Sequence, residues 1–168
     1  MSSGGTMTDG QNGADAPALP RLQVVGQYIK DLSFENPGMP QTNMAGRPQI
    51  DLNVDLQAKQ MDGEHYEVEL KLRVSAQADG KPLFLLELVY AGVFQLQNVP
   101  DEMRQAALLI EAPHIIFPFA RRIVADIVRD GGMPPLLVEP IDFAALYRSR
   151  ADGMAQMRSG AEAPAGNA

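Results

Sequence analysis

The sequence has no cysteine and no tryptophan, and only two histidines, His65 and His114. Without cysteine there is no disulfide framework, thiolate metal site or cysteine nucleophile. Two histidines this far apart argue against a histidine-rich metal centre, so no metal or other cofactor is expected. Long apolar runs are also missing. The longest, 83–86 and 88–94, are separated by Glu87, and neither approaches the ~18 residues of a spanning helix. Positive charge is scarce: Lys and Arg total 14 against 21 Asp and Glu, a net charge of −7. Phosphate-backbone binding needs basic side chains, so nucleic acid is not an expected partner, whereas a basic partner is. Residues 1–15 lack the basic and apolar regions of a secretory signal, and cytoplasmic residence is the simplest expectation.

The remaining composition suggests one domain with a sizeable core. Residues 1–20, rich in Gly, Ser and Ala, read as a disordered arm, 21–157 as the folded unit and 158–168 as a disordered tail. Within the unit, 50–59 alternate strictly, with Ile50, Leu52, Val54, Leu56 and Ala58 on one face and Asp51, Asn53, Asp55, Gln57 and Lys59 on the other. That is the period of a strand with one wet face. Residues 66–76 repeat the pattern after a turn at 61–64, and 82–94 form a nearly all-apolar strand after Asp79-Gly80. Such a strand is buried on both faces or lends one to a partner. Residues 22–35 read as a further strand weakened or bulged at Gly26, and the Pro- and Gly-rich stretch 36–49 as a crossover loop.

After Pro100 the period changes to that of helices. One is predicted over 101–112 and ended by Pro113, a second over about 118–129 and stopped by Gly131-Gly132. A third is predicted over 143–157 with Asp142 as N-cap. Four strands followed by helices give an α+β fold, with a four-stranded antiparallel sheet carrying helices on one face.

Catalytic apparatus is hard to find. No nucleophile elbow, zinc-binding helix motif, Walker loop or dinucleotide fingerprint occurs. His114 as a general base lacks an evident partner and reads better as a helix-junction histidine, and Glu67 and Glu69 read better as a solvated strand face than as an acid–base pair. A small α+β enzyme is therefore the weaker alternative to a binding protein. Residues 21–100 hold ten acids against seven bases, which suits a docking surface. Met39 and Met44 in the crossover loop suit a surface accepting varied apolar partners.

Two stretches carry a resemblance. One is Tyr28-Ile29-Lys30-Asp31-Leu32-Ser33-Phe34-Glu35-Asn36-Pro37. The other begins Phe117-Pro118-Phe119-Ala120-Arg121 and runs to Pro140-Ile141-Asp142-Phe143-Ala144-Ala145-Leu146-Tyr147, with Tyr66-Glu67-Val68 and Ala91-Gly92-Val93-Phe94 between them in order. In these motifs the chain resembles SecB, the bacterial protein-export chaperone family, over about residues 22–150. The resemblance implies a homotetramer, a dimer of dimers, that binds unfolded secretory precursors in the cytoplasm and delivers them to the SecA ATPase. It places SecA binding at Asp31, Glu35, Leu85 and Glu87 and a client groove at Met39, Met44, Ile50, Leu52 and Val54. Phe119, Ile123 and Ile127 fall at the tetramer interface. A SecB-like chaperone serving another client, such as an antitoxin, is the alternative within the same class. Where the family often has an aromatic before the second strand, this chain has Ala45-Gly46-Arg47.

Overall fold

The computed structural model of the protein describes residues 17–40 and 46–161. Four strands come first: β1 (Arg21–Glu35), β2 (Gln49–Gln60), β3 (His65–Ala78) and β4 (Lys81–Gln97). They form one sheet in the order β1-β4-β3-β2, with every pairing antiparallel. β2, β3 and β4 are the expected meander. The crossover returns the chain so that β1 lies on the far side of β4, leaving β1 and β2 as edges. The arm expected over 1–20 lies outside the described residues except for 17–20. Met44 and residues 162–168 of the expected tail lie outside them too, while 158–161 are the last residues of the final helix.

Alternation decides the faces. The even residues of β3, from Tyr66 to Ala76, are all buried, as are Leu86, Leu88, Phe94 and Leu96 of β4. This inner face packs on the helices. The apolar outer residues of β4, Leu85, Val89 and Val93, are half-buried, because β4 is central and its neighbours' long side chains lean over it. β1 changes parity twice, at register shifts between Val24 and Gly26 and between Ile29 and Asp31. Each bulge inserts one unpaired residue, Val25 and then Lys30. The first was expected at Gly26; the second was not. Its effect is to put Tyr28, Asp31, Ser33 and Glu35 on one face, although Tyr28 is even and the others odd.

The two helices expected after Pro100 are one continuous helical rod over 101–130, and this corrects the sequence reading. It comprises α1 (Asp101–Ala106), a π-helical turn (Ala107–Glu111) and α2 (Ala112–Asp130). The wider turn, in which the Ala112 N–H donates to the Ala107 carbonyl, absorbs the missing N–H of Pro113, which sits in the first turn of α2. His114 contributes here: its Nδ1 lies 2.8 Å from the Ile110 carbonyl. Pro118 lies inside α2 without ending it. At the other end the expected glycine stop holds. Gly132, at φ +85°, follows the last turn; its N–H donates to the Arg129 carbonyl (2.9 Å) and the Met133 N–H to the Val128 carbonyl (3.3 Å), the Schellman arrangement.

α2 buries Ala112, Ile116, Ala120, Val124 and Val128 against β3 and β4. Gly92 makes the approach possible, because a Cβ there would stand 2.6 Å from the Phe94 ring and 3.1 Å from Ile116. α3 (Phe143–Ala161) begins as expected, with Asp142 Oδ1 accepting the Ala145 N–H at 2.9 Å. Its first residue, Phe143, is fully buried, edge-on to His114 (5.1 Å) and Phe117 (5.9 Å). Among the described residues no helix is long and apolar enough to cross a membrane.

Candidate functional site

Two surfaces stand out, one on each side of the sheet. The outer face is a lattice of charged side chains set by the register. Its rows, from β1 through β4 and β3 to β2, read Glu35-Leu85-Ser75-Asp51, Ser33-Glu87-Arg73-Asn53 and Asp31-Val89-Lys71-Asp55. Asp31, Glu35 and Glu87 therefore form a triangle, with neighbouring strands about 5 Å apart and alternate residues about 7 Å apart along β1. Leu85 fills the gap beside Glu35. Glu87 is the one charge in β4 after Lys81, and Arg73 pairs with it from β3.

The adjacent end of the same face is self-neutralised. Tyr28 and Lys30 of β1 reach across β4, over small Ala91, to Glu67 and Glu69 of β3. The Tyr28 hydroxyl donates to Glu67, and Lys30 Nζ donates to Glu67 at 2.9 Å and also to Glu69. These bonds, from Tyr28 first and then Lys30, hold the Glu67 carboxyl below the usual glutamate range. The bond to Glu67, helped by burial, raises the Tyr28 phenol, and the two carboxylates hold the Lys30 ammonium far above the usual lysine range. The carboxylates left free for a partner are therefore concentrated at the Asp31–Glu35 end.

On the inner side, edge strand β2 is only partly covered. Its inward residues run Ile50, Leu52, Val54, Leu56 and Ala58, about 26 Å at the usual strand rise. Ile50 lines an apolar cleft of about 210 Å³ with Leu83, Phe84, Val128, Met133 and Leu136. Leu56 and Ala58 line a groove of about 1050 Å³ with Tyr66, Leu108, Tyr147 and Met154. Ile50 and Leu52 keep 43% and 41% of their surface exposed, and Val54 is half-buried. α3 roofs the groove. Arg150 donates to the Leu56 carbonyl at 3.0 Å and pairs with Asp55, and the Tyr147 hydroxyl donates to Gln105 at 3.2 Å.

The sequence matches the family model described as preprotein translocase subunit SecB over residues 15–154. The chain belongs to the SecB family. Relatives called protein-export protein SecB are 53% identical over 151 residues in Hyphomonas neptunium (89% of this chain, 88% of the relative) and 54% identical over 151 residues in Paramagnetospirillum magneticum (88% and 96%). One from Maricaulis maris is 48% identical over 161 residues (93% and 94%). The SecB-like chaperone of Mycobacterium tuberculosis, solved with a peptide of an antitoxin, shares the fold. Its TM-score is 0.61 at 16% identity, covering 72% of this chain and 91% of the other. The chain is thus a protein-export chaperone with the family's α+β architecture.

Set in a SecB frame, the residues expected to bind SecA fall together: Asp31, Glu35, Leu85 and Glu87 share one end of the outer face. Of the groove candidates, Ile50, Leu52 and Val54 line the inner side of β2. Met39 is half-buried and packs toward Gly132 at the cleft end. The stripe expected at a tetramer interface divides. Phe119 faces outward at 44% exposure, stacked on Tyr90 at 6.5 Å, Ile127 is half-buried, and Ile123 is buried within the protomer. The resemblance implies that the last helix also lines the groove, but the residues named for the groove lie on the loop and β2 alone; Leu108, Tyr147, Arg150 and Met154, which roof it here, are not among them.

Proposed function

We propose that this SecB protein holds unfolded secretory precursors in the bacterial cytoplasm and passes them to SecA, working as a homotetramer without catalysis. The observation that carries this reading is the partly uncovered inner face of β2, where apolar side chains and the backbone of an edge strand run together from the cleft at Ile50 to the groove at Leu56 and Ala58. An extended, unfolded segment matches both features, taking backbone pairing from the edge and pockets for alternate side chains. Such recognition is loosely specific, and a client long enough to reach several protomers gains avidity. The export reading is taken over service to an antitoxin because relatives named for protein export share about half of their residues with this chain, whereas the antitoxin-peptide chaperone shares 16%.

Self-assembly is supported by exposed apolar residues on one side of the protomer, Ile115 and Phe119 of α2 and Ile29 of β1, the last paired with Tyr90, on which Phe119 stacks. Residues 21–157 constitute the chaperone domain in this reading. SecA docks on the opposite side of the sheet, on Asp31, Glu35, Leu85 and Glu87, leaving the client groove free. The test is refolding of a denatured precursor with and without equimolar tetramer, in the absence of ATP. Refolding should slow several-fold; an unchanged rate would count decisively against a holdase.

A further inference from the structure

Arg73 is the group that the docking reading leaves unused. It lies on the outer face of β3, directly across β4 from Ser33 and next to Glu87, and its guanidinium pairs with one Glu87 oxygen. Of the three acids in the triangle, Glu87 is the one whose partner is another residue of the sheet face, while Asp31 and Glu35 make no ion pair among the described residues and stand exposed on β1. The other nearby cations are already occupied, Lys30 by Glu67 and Glu69 and Lys71 by Glu69 and Gln57. Both partners of the Arg73–Glu87 pair are open to water, at 58% and 43% side-chain exposure, so the pair is weak and exchangeable.

We propose that Arg73 is a specificity-determining residue of the docking face: it screens Glu87, so that only a basic partner surface covering the whole Asp31–Glu35–Glu87 triangle can displace it. This rests on the reading of that face as the SecA site. A single stray cation meets a neutralised Glu87 and the repulsion of the guanidinium. A surface presenting several cations gains Asp31 and Glu35 at once and releases Arg73 toward solvent. The cost of that release weakens docking, keeps it reversible and raises discrimination against singly charged competitors.

The experiment is calorimetric titration of the full chain with SecA at low and at high salt, using the parent, Arg73→Gln, Arg73→Lys, Glu87→Gln, Asp31→Asn and the double variant Arg73→Gln/Glu87→Gln. Arg73→Gln should bind about threefold tighter at low salt, the scale of one exposed ion pair, and lose that gain at high salt. Arg73→Lys should behave as the parent. In the Glu87→Gln background Arg73→Gln should lose most of its effect. Parent-like or weaker binding by Arg73→Gln, with Glu87→Gln and Asp31→Asn both weakened, overturns the role of Arg73 and leaves the docking face standing. An equal gain with and without Glu87 also overturns it, since Arg73 would then act on the partner alone. If neither Glu87→Gln nor Asp31→Asn changes affinity, the docking reading falls and the proposal with it.

Discussion

Single side chains set limits on this protein at two points, one structural and one electrostatic. Gly92 is required because α2 lies directly on β4. A methyl group there would meet the Phe94 ring at 2.6 Å, and both neighbours are fully buried. Gly92→Ala should therefore cost about 1–3 kcal/mol, the range for overpacking a filled core, measurable as a lowered midpoint in urea. A variant as stable as the parent would show that the helix can shift outward without penalty. Glu67 acts through protons. Its carboxyl titrates below the ordinary 4.5 when folded, so the unfolded chain takes up the proton more readily. Its contribution is complete above that ordinary value and disappears as pH falls through the lowered folded value. Glu67→Gln should lose stability on acidification along a shallower slope than the parent, and identical slopes would sink the assignment. The same cluster shows why the acidic balance read from the sequence needed a map: Glu67 and Glu69 count among the ten acids, yet Tyr28 and Lys30 hold them.

Elements differ in how openly the sequence announces them. The strands were legible because burial on one face imposes a period of two, and β2, β3 and β4 extend only a few residues beyond their expected limits. The rod over 101–130 was misread because proline was judged by its usual effect. Pro113 falls just after a π-helical turn and Pro118 within a helix anchored on both sides by buried Ile116, Phe117 and Ala120, where packing outweighs the lost backbone bonds. The second bulge of β1 left no local signature, since Lys30 is neither glycine nor proline. The candidate site was legible in part: Ile50, Leu52 and Val54 lie on the face the alternation gives them, the acids of β1 and β4 were named by the resemblance alone, and the individual residues of the α3 roof were not named because they come together from distant segments. At this scale the proposed client groove makes its own prediction. Leu52 is half open to water in the middle of β2, so Leu52→Asp should fold normally and weaken binding of an unfolded precursor about fivefold, the value of losing part of a leucine burial. SecA affinity should stay unchanged. Undiminished precursor binding would move the groove away from β2.

For the whole molecule, the proposed function makes the sheet a partition, with the client on one side and the docking partner on the other, so that the two occupants need not compete. Assembly should follow from the apolar surface around Phe119. Light scattering should give about four times the 18.2 kDa of one chain, and Phe119→Asp should shift the protein to smaller species. A monomer at working concentration for the parent chain would remove the tetramer. The partition depends on Lys30 standing outside the ladder. Because a strand alternates sides at every step, what matters at residue 30 is that it takes no rung of its own. Drawn into regular pairing, with the upstream register kept, it would turn Asp31 and Glu35 toward the helices while Leu32 and Phe34 turned outward. β1 therefore carries a kind of reading frame. Substitutions along it are local edits, and deleting Lys30 would only remove the bulge and leave Asp31 opposite Val89, but one further residue entering the ladder between Asp31 and Ser33 would shift everything downstream in the strand, costing core and docking face together.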